Sequence, residues 1–122
     1  MLALIVAQHS IVRDALVALL EAWPGISKIV QVEKAQSAWE FTQVLCPDIT
    51  LIYGPSLTPD LVKFIKKLTG TCSNPIMAIV SSEEDRKTAV ACGVDIALIE
   101  GLPSSELAVY IAQLIPQGVD KA

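Results

Sequence analysis

The chain is poor in the residues that most chemistries need. It has one histidine and three cysteines in 122 residues. Cys46, Cys72 and Cys92 stand at spacings that make neither a zinc pattern nor a redox pair. They are expected to be three reduced, mostly buried thiols. Charged residues make up only 18% of the chain, the basic ones are scattered, and the net charge is −4. No Lys/Arg stripe is available to follow a phosphate backbone, which argues against direct nucleic-acid binding by this chain. No apolar run comes near the ~18 residues of a membrane span. Leu2 to Ala7 is too short for a signal-peptide core and lacks a basic flank, so Met1 reads as a cytoplasmic start. Repeats, low-complexity tracts and internal linkers are missing as well. The length suits one domain with a real core and is too small for two, so residues 1–122 are read as a single domain.

Apolar residues, by contrast, are abundant, at 52% of the chain with a mean hydropathy of +0.54. This surplus suggests a buried interface beyond the monomer's own core, and a strongly buried sheet would also account for it. The most telling stretch is Pro47 to Pro55, in which Ile49 to Tyr53 form a short β-branched and apolar run stopped by Gly54-Pro55. Such a run reads as a strand buried on both faces in a parallel sheet. Leu2–Ala7, Lys28–Glu33, Pro75–Val80 and Asp95–Ile99 read as further strands.

Helices are expected between them. Ser10 caps one that buries Val12, Ala15, Leu16, Leu19 and Leu20, with Arg13 off the stripe, and Trp23-Pro24-Gly25 ends it. Ser37 and Glu40 form a capping box opening a second, with Ala38, Phe41, Val44 and Leu45 inward. Thr58-Pro59 starts a third, closed by Gly70. Ser82 and Asp85 start a fourth, capped by Gly93, and a fifth runs from about Ser104 to Pro116. The order βαβαβαβαβα implies an α/β fold of the flavodoxin-like kind: five parallel strands in order 2-1-3-4-5, with five helices on both faces. In such folds the working site lies at the carboxyl ends of the central strands.

Leu4 to Leu16, with Ala7-Gln8-His9-Ser10 at its centre, resembles the opening of a response-regulator receiver domain. Pro47-Asp48, Ala91 to Asp95 and Pro103 to Leu107 carry the same resemblance, which extends from about Leu2 to Ile115. It is nearest to regulators with a helix-turn-helix DNA-binding output. The resemblance implies phosphoryl transfer to an aspartate, aided by an acidic pair, a Ser/Thr and a lysine. Those positions fall here on Tyr53 for the acceptor, Ala7 and Gln8 for the pair, Ser81 and Glu100. Only Ser81 keeps its type. Magnesium wants carboxylate oxygens, and a phenol with a pKa of about 10 is no substitute. Phosphoryl transfer is mainly positioning and charge neutralisation, which a glutamate at position 100 opposes. The chain therefore reads as a pseudo-receiver, with no catalytic residues, metal or cofactor.

The leading function is a phosphorylation-independent signalling module of two-component, transcription-regulator type that binds a protein partner, foremost another copy of itself. The resemblance places the partner face on the fourth helix, fifth strand and fifth helix, with Arg86, Lys87, Val90, Ala97, Ala108 and Tyr110. The alternative is a small-molecule sensor using the emptied pocket around Gln8, Tyr53, Ser81 and Glu100. Dense apolar filling would favour the first reading, and an open pocket with convergent polar groups the second. Tyr53 is expected to plug the vacated site and to bond Gln8 or Ser81. A Ser81–His9–Glu100 triad has neither nucleophile elbow nor oxyanion motif behind it. Gly54-Pro55-Ser56 is too poor in glycine for a phosphate cradle. The chain ends too soon after Ile115 for a DNA-binding domain, as expected of a stand-alone module or a piece of a longer regulator.

Overall fold

The computed structural model describes residues 1–115. Its elements are β1 (Leu2–Val6), α1 (Ile11–Glu21), β2 (Lys28–Val32), α2 (Ala35–Val44), β3 (Ile49–Tyr53), α3 (Pro59–Thr71), β4 (Ile76–Val80), α4 (Glu83–Cys92), β5 (Ile96–Ile99) and α5 (Ser104–Leu114). The five strands form one parallel sheet in order β2-β1-β3-β4-β5. This is the architecture expected from the alternation of strand and helix signals. The expected stop at Pro116 lies outside the described residues.

Strand alternation divides the core in two. Ala3, Ile5, Leu51, Met77, Ile79 and Leu98 point to one face, where Leu16 and Leu20 of α1 and Leu107 and Ile111 of α5 cover them. Leu4, Val6, Ile52, Ile76 and Ala78 point to the other, under Phe64, Ile65 and Leu68 of α3, Ala38 of α2 and Ala89 of α4. At the amino edge of the sheet two aspartates brace strand starts. Asp48 accepts the Leu2 N–H at 2.6 Å and Asp95 accepts the Ile76 N–H at 2.9 Å. Both serve the fold far from the carboxyl ends.

Ser10, Thr58 and Ser82 cap their helices by accepting the N–H three residues on, at 3.1, 3.2 and 3.1 Å. Gly93 ends α4 in the left-handed region at φ 111°, where any side chain would be strained. The α2 expectation fails at both ends. The helix begins at Ala35 after Lys34, which gives no side-chain cap, so Ser37 lies inside it. Gln36 donates to Glu40 across one turn at 3.1 Å, in place of the expected box. Its inward positions are Ala38 and Thr42, with Ala35, Trp39 and the expected Phe41 half-buried against the core. At 3.6 residues per turn Val44 then points roughly 200° away from Thr42, and Val44 and Leu45 are 80% and 51% exposed. Helix α3 continues past Gly70 to Thr71.

The cysteine expectation is also corrected. Cys46 and Cys72 form a disulfide with their Cα atoms 6.0 Å apart, and Cys92 alone is free. Cys46 follows α2 and Cys72 caps α3, and the two helices lie side by side on one face. Packing thus brings together two residues that are 26 apart in sequence.

Candidate functional site

The register sets what meets at the carboxyl edge. Val6 pairs with Ile52, Tyr53 with Ile79 and Val80 with Ile99. Ala7, Tyr53, Ser81 and Glu100 therefore all stand at one end of the sheet. Ala7 is 2% exposed and its N–H donates to the Val32 carbonyl at 2.9 Å. Ser81 follows Val80, whose carbonyl accepts the Glu100 N–H at 2.8 Å. Gln8, His9, Ser81 and Glu100 are exposed.

Tyr53 is half-buried, and its hydroxyl donates to Glu100 Oε1 at 2.7 Å. This corrects the expected bond to Gln8 or Ser81. Strand spacing gives the reason. β4 lies between β3 and β5, and two strand separations come to about 10 Å. Two long side chains, the phenol and the glutamate, span that gap over the end of β4. The carboxylate holds the Tyr53 phenol above its ordinary value, through the hydrogen bond first, then burial, then the Glu100 charge. The folded state favours the protonated phenol, so this bond's stabilising contribution is fully present below pH ~10 and is lost as pH rises through the raised value. Spectrophotometric titration, with Tyr53→Phe subtracted, should show a phenol ionising above pH ~10, and Glu100→Gln should lower it. Ionisation of Tyr53 at or below its ordinary value would remove the bond from the native state.

On the β1, β2 and β3 side of this pair lies an open cleft of about 560 Å³. Its floor is Val6, Ala7 and Gly54, with Tyr53 as a flanking wall. One wall is Lys34, Ala35 and Gln36 at the start of α2, and the other is Thr58, Asp60 and Leu61 at the start of α3. Gln8, His9 and Glu33 complete the rim. A Cβ at Gly54 would stand 3.0 Å from the Leu61 side chain and 3.3 Å from the Ser56 carbonyl, so the glycine keeps this corner uncrowded. A second hollow of about 210 Å³, lined mainly by α1, the end of β5 and the start of α5, has Glu100 on its edge. Tyr53 thus walls the cleft and does not fill it, so the expected plug is absent.

Sequence reasoning missed Arg13. It folds back instead of pointing outward, its side chain is 12% exposed, and its Nη1 donates to the Ala7 carbonyl at 3.2 Å. Glu33 lies 4.0 Å from the same nitrogen, while Nε is buried without a partner. An arginine four residues into a loop-helix junction carries no sequence signal for such a return. Its effect is to place a fixed cation against the end of β1.

This donor set does not suit a hard divalent cation. Ala7 has no side-chain oxygen, Gln8 offers one neutral amide oxygen, and the Tyr53 hydroxyl commits its proton to Glu100. No group of three or more His, Cys, Asp or Glu residues that could hold a metal occurs among the described residues. His9 makes no hydrogen bond to Ser81 or Glu100 among them, so the structure does not assemble the triad. Of the expected partner face, Lys87 and Val90 are exposed, Arg86 is bidentate to Glu83, and Ala108 and Tyr110 are half-buried. Ala97 is 8% exposed and points into the core beneath α4, so it offers little to a partner. No described helix is long and apolar enough to cross a membrane.

No family model matches the chain, and no curated protein matches it. Solved structures do. The signal receiver domain of a DNA-binding response regulator from Colwellia psychrerythraea is 19% identical with a TM-score of 0.78, over 96% of this chain and 99% of that one. A LuxR-family DNA-binding response regulator from Silicibacter pomeroyi is 20% identical with a TM-score of 0.77, over 97% and 98%. A response regulator in its Mn(2+)-bound form is 13% identical with a TM-score of 0.72, over 99% and 96%. At these identities the likeness establishes the fold.

Proposed function

We propose that this chain with a receiver-domain fold is a cytoplasmic, non-enzymatic signalling module of two-component, transcription-regulator type, working without aspartyl phosphorylation and through contact with a protein partner. The observation that carries the proposal is the Tyr53–Glu100 hydrogen bond. It joins the position of the missing acceptor to the position of the missing lysine, and leaves there neither a nucleophilic carboxylate nor a cation for phosphoryl oxygens. Arg13 against Ala7 adds to this, since it sets a positive charge where a metal would need negative ligands. One structural neighbour is described in a manganese-bound form, and the side chains at this chain's carboxyl edge give such an ion little to hold.

The partner is a second copy of the chain, paired constitutively because the phosphorylation trigger is missing. Val90 of α4, Ile99 at the end of β5 and Val109 of α5 are 49%, 38% and 58% exposed, and they supply apolar surface on the elements expected to pair. Nucleic acid is not contacted by this chain directly, given its net charge of −4. The test is to incubate the full chain with acetyl phosphate and magnesium, then measure intact mass and sedimentation at micromolar concentration. The expected result is an unchanged mass and the same dimer with and without the phosphodonor. An adduct at the carboxyl edge would overturn phosphorylation independence, and a clean monomer would remove the homodimer.

A second reading, a small-molecule sensor, is favoured by the open cleft. About 560 Å³ bordered by Gln8, Lys34, Gln36 and Asp60 is within the range of ligand sites, and it lies where the strand order reverses between β1 and β3.

A further inference from the structure

We propose that the Cys46–Cys72 disulfide is a thiol–disulfide exchange site for a dithiol reductant, and that its state governs how firmly α2 is held. Four observations lead there. The bond joins the residue two beyond α2 to the C-cap of α3, and so ties the far ends of the two helices whose near ends wall the cleft. Cys46 is exposed, whereas Cys72 is 6% exposed, so an incoming thiolate meets the Cys46 side of the bond first. Helix α2 is weakly anchored otherwise. It buries only Ala38 and Thr42, it has no side-chain cap, and its last residue, Val44, stands in solvent. Its aromatic residues Trp39 and Phe41 are half-buried against the core, and Lys67 Nζ of α3 sits 5.2 Å over the Trp39 ring. The rest of the core does not depend on the bond, because the sheet is covered on its other face by α1 and α5.

The chemistry balances as follows. One thiolate of the reductant attacks Cys46 Sγ, the Cys46–Cys72 bond breaks, and Cys72 leaves as a thiolate that takes a proton. The reductant's second thiol then attacks the mixed disulfide, releases Cys46 as a thiol and closes the reductant's own disulfide. Two electrons and two protons pass from the dithiol to the cysteine pair, and a disulfide oxidant runs the sequence backwards. In the cytoplasmic setting proposed above, a disulfide of this kind is a redox-responsive feature and not a permanent staple. The proposal takes its physiological reductant from that reading, but the test does not.

Reduction removes the tether from the helix with the least burial. Local opening is drawn from such regions, which have few buried apolar contacts. The test compares the full chain in its disulfide form and after native reduction with dithiothreitol, by hydrogen exchange and mass spectrometry. The expected result is exchange about tenfold or more faster across residues 35–44, with β1, β3, β4 and α5 unchanged. Cys46→Ser and Cys72→Ser should each show the reduced pattern and ignore dithiothreitol. Oxidised glutathione should restore the slow pattern in the native chain only. Equal α2 exchange in the two states would overturn the proposal. So would resistance of the native bond to dithiothreitol, global unfolding on reduction, or three free thiols persisting under disulfide oxidant. None of these outcomes bears on phosphorylation or on dimer formation, so the two readings fail separately.

Discussion

Four substitutions made together, Ala7→Asp, Gln8→Asp, Tyr53→Asp and Glu100→Lys, are expected to give a chain phosphorylated on the carboxylate introduced at position 53, where the native chain is expected to take no phosphate. The expectation rests on backbone register. Ala7 follows Val6, which pairs with Ile52, and position 53 pairs with Ile79. Glu100 follows Ile99, which pairs with Val80, and Ser81 already follows Val80. All the positions needed for a metal, a nucleophile and a compensating cation thus stand at one sheet edge, and only side-chain chemistry is missing. Three carboxylates would supply the hard oxygen ligands that magnesium prefers, and the lysine would neutralise phosphoryl oxygens. Calorimetry should show saturable magnesium binding in the variant and none in the native chain. Intact mass after acetyl phosphate should gain one phosphate in the variant alone. A folded variant that binds no magnesium would mean that the loops after β1 and β3 have also left receiver geometry, with Arg13 the first contact to remove.

The second large effect contrasts two aromatic truncations. Phe64→Ala is expected to cost about 3–5 kcal/mol, the range for emptying a core position of a large side chain. Phe64 is 2% exposed and sits with Ile65 and Leu68 over the sheet. Tyr53→Ala would cost as much if the ring sealed the vacated site. The ring is instead half-buried on the wall of an open cleft and bonds an exposed carboxylate. Its loss should cost about 1–2 kcal/mol, from partial apolar burial and one hydrogen bond. Urea unfolding of both variants measures the pair directly. Equal losses would restore the plug and remove the open cleft, and with it the ground for the sensor reading.

These contrasts trace back to what kind of information a sequence holds. The element order was legible because strand and helix signals are local. The run Ile49–Tyr53, the capping residues Ser10, Thr58 and Ser82, and Gly93 each act within a few residues of themselves. Parallel order and handedness followed, since right-handed crossovers leave few alternatives. The identity of the residues at the carboxyl edge was legible too, because each ends a recognisable strand. Helix α2 was misjudged because its weak amphipathic pattern admits two faces, and only packing on α3 selects Ala38 and Thr42 over Val44 and Leu45.

The sequence by itself therefore determined the fold and which residues, Ala7, Gln8, Tyr53, Ser81 and Glu100, end up at the carboxyl edge of the sheet. Tertiary structure alone decided that Tyr53 meets Glu100, that Arg13 returns to Ala7, that Cys46 joins Cys72, and that a cleft stays open between α2 and α3. The physical reason is one of range. Periodicity and capping are set by neighbours along the chain, whereas each of these four features depends on where folded elements place their side chains in space. Residues 47 apart, such as Tyr53 and Glu100, come within 2.7 Å only because β3, β4 and β5 lie side by side.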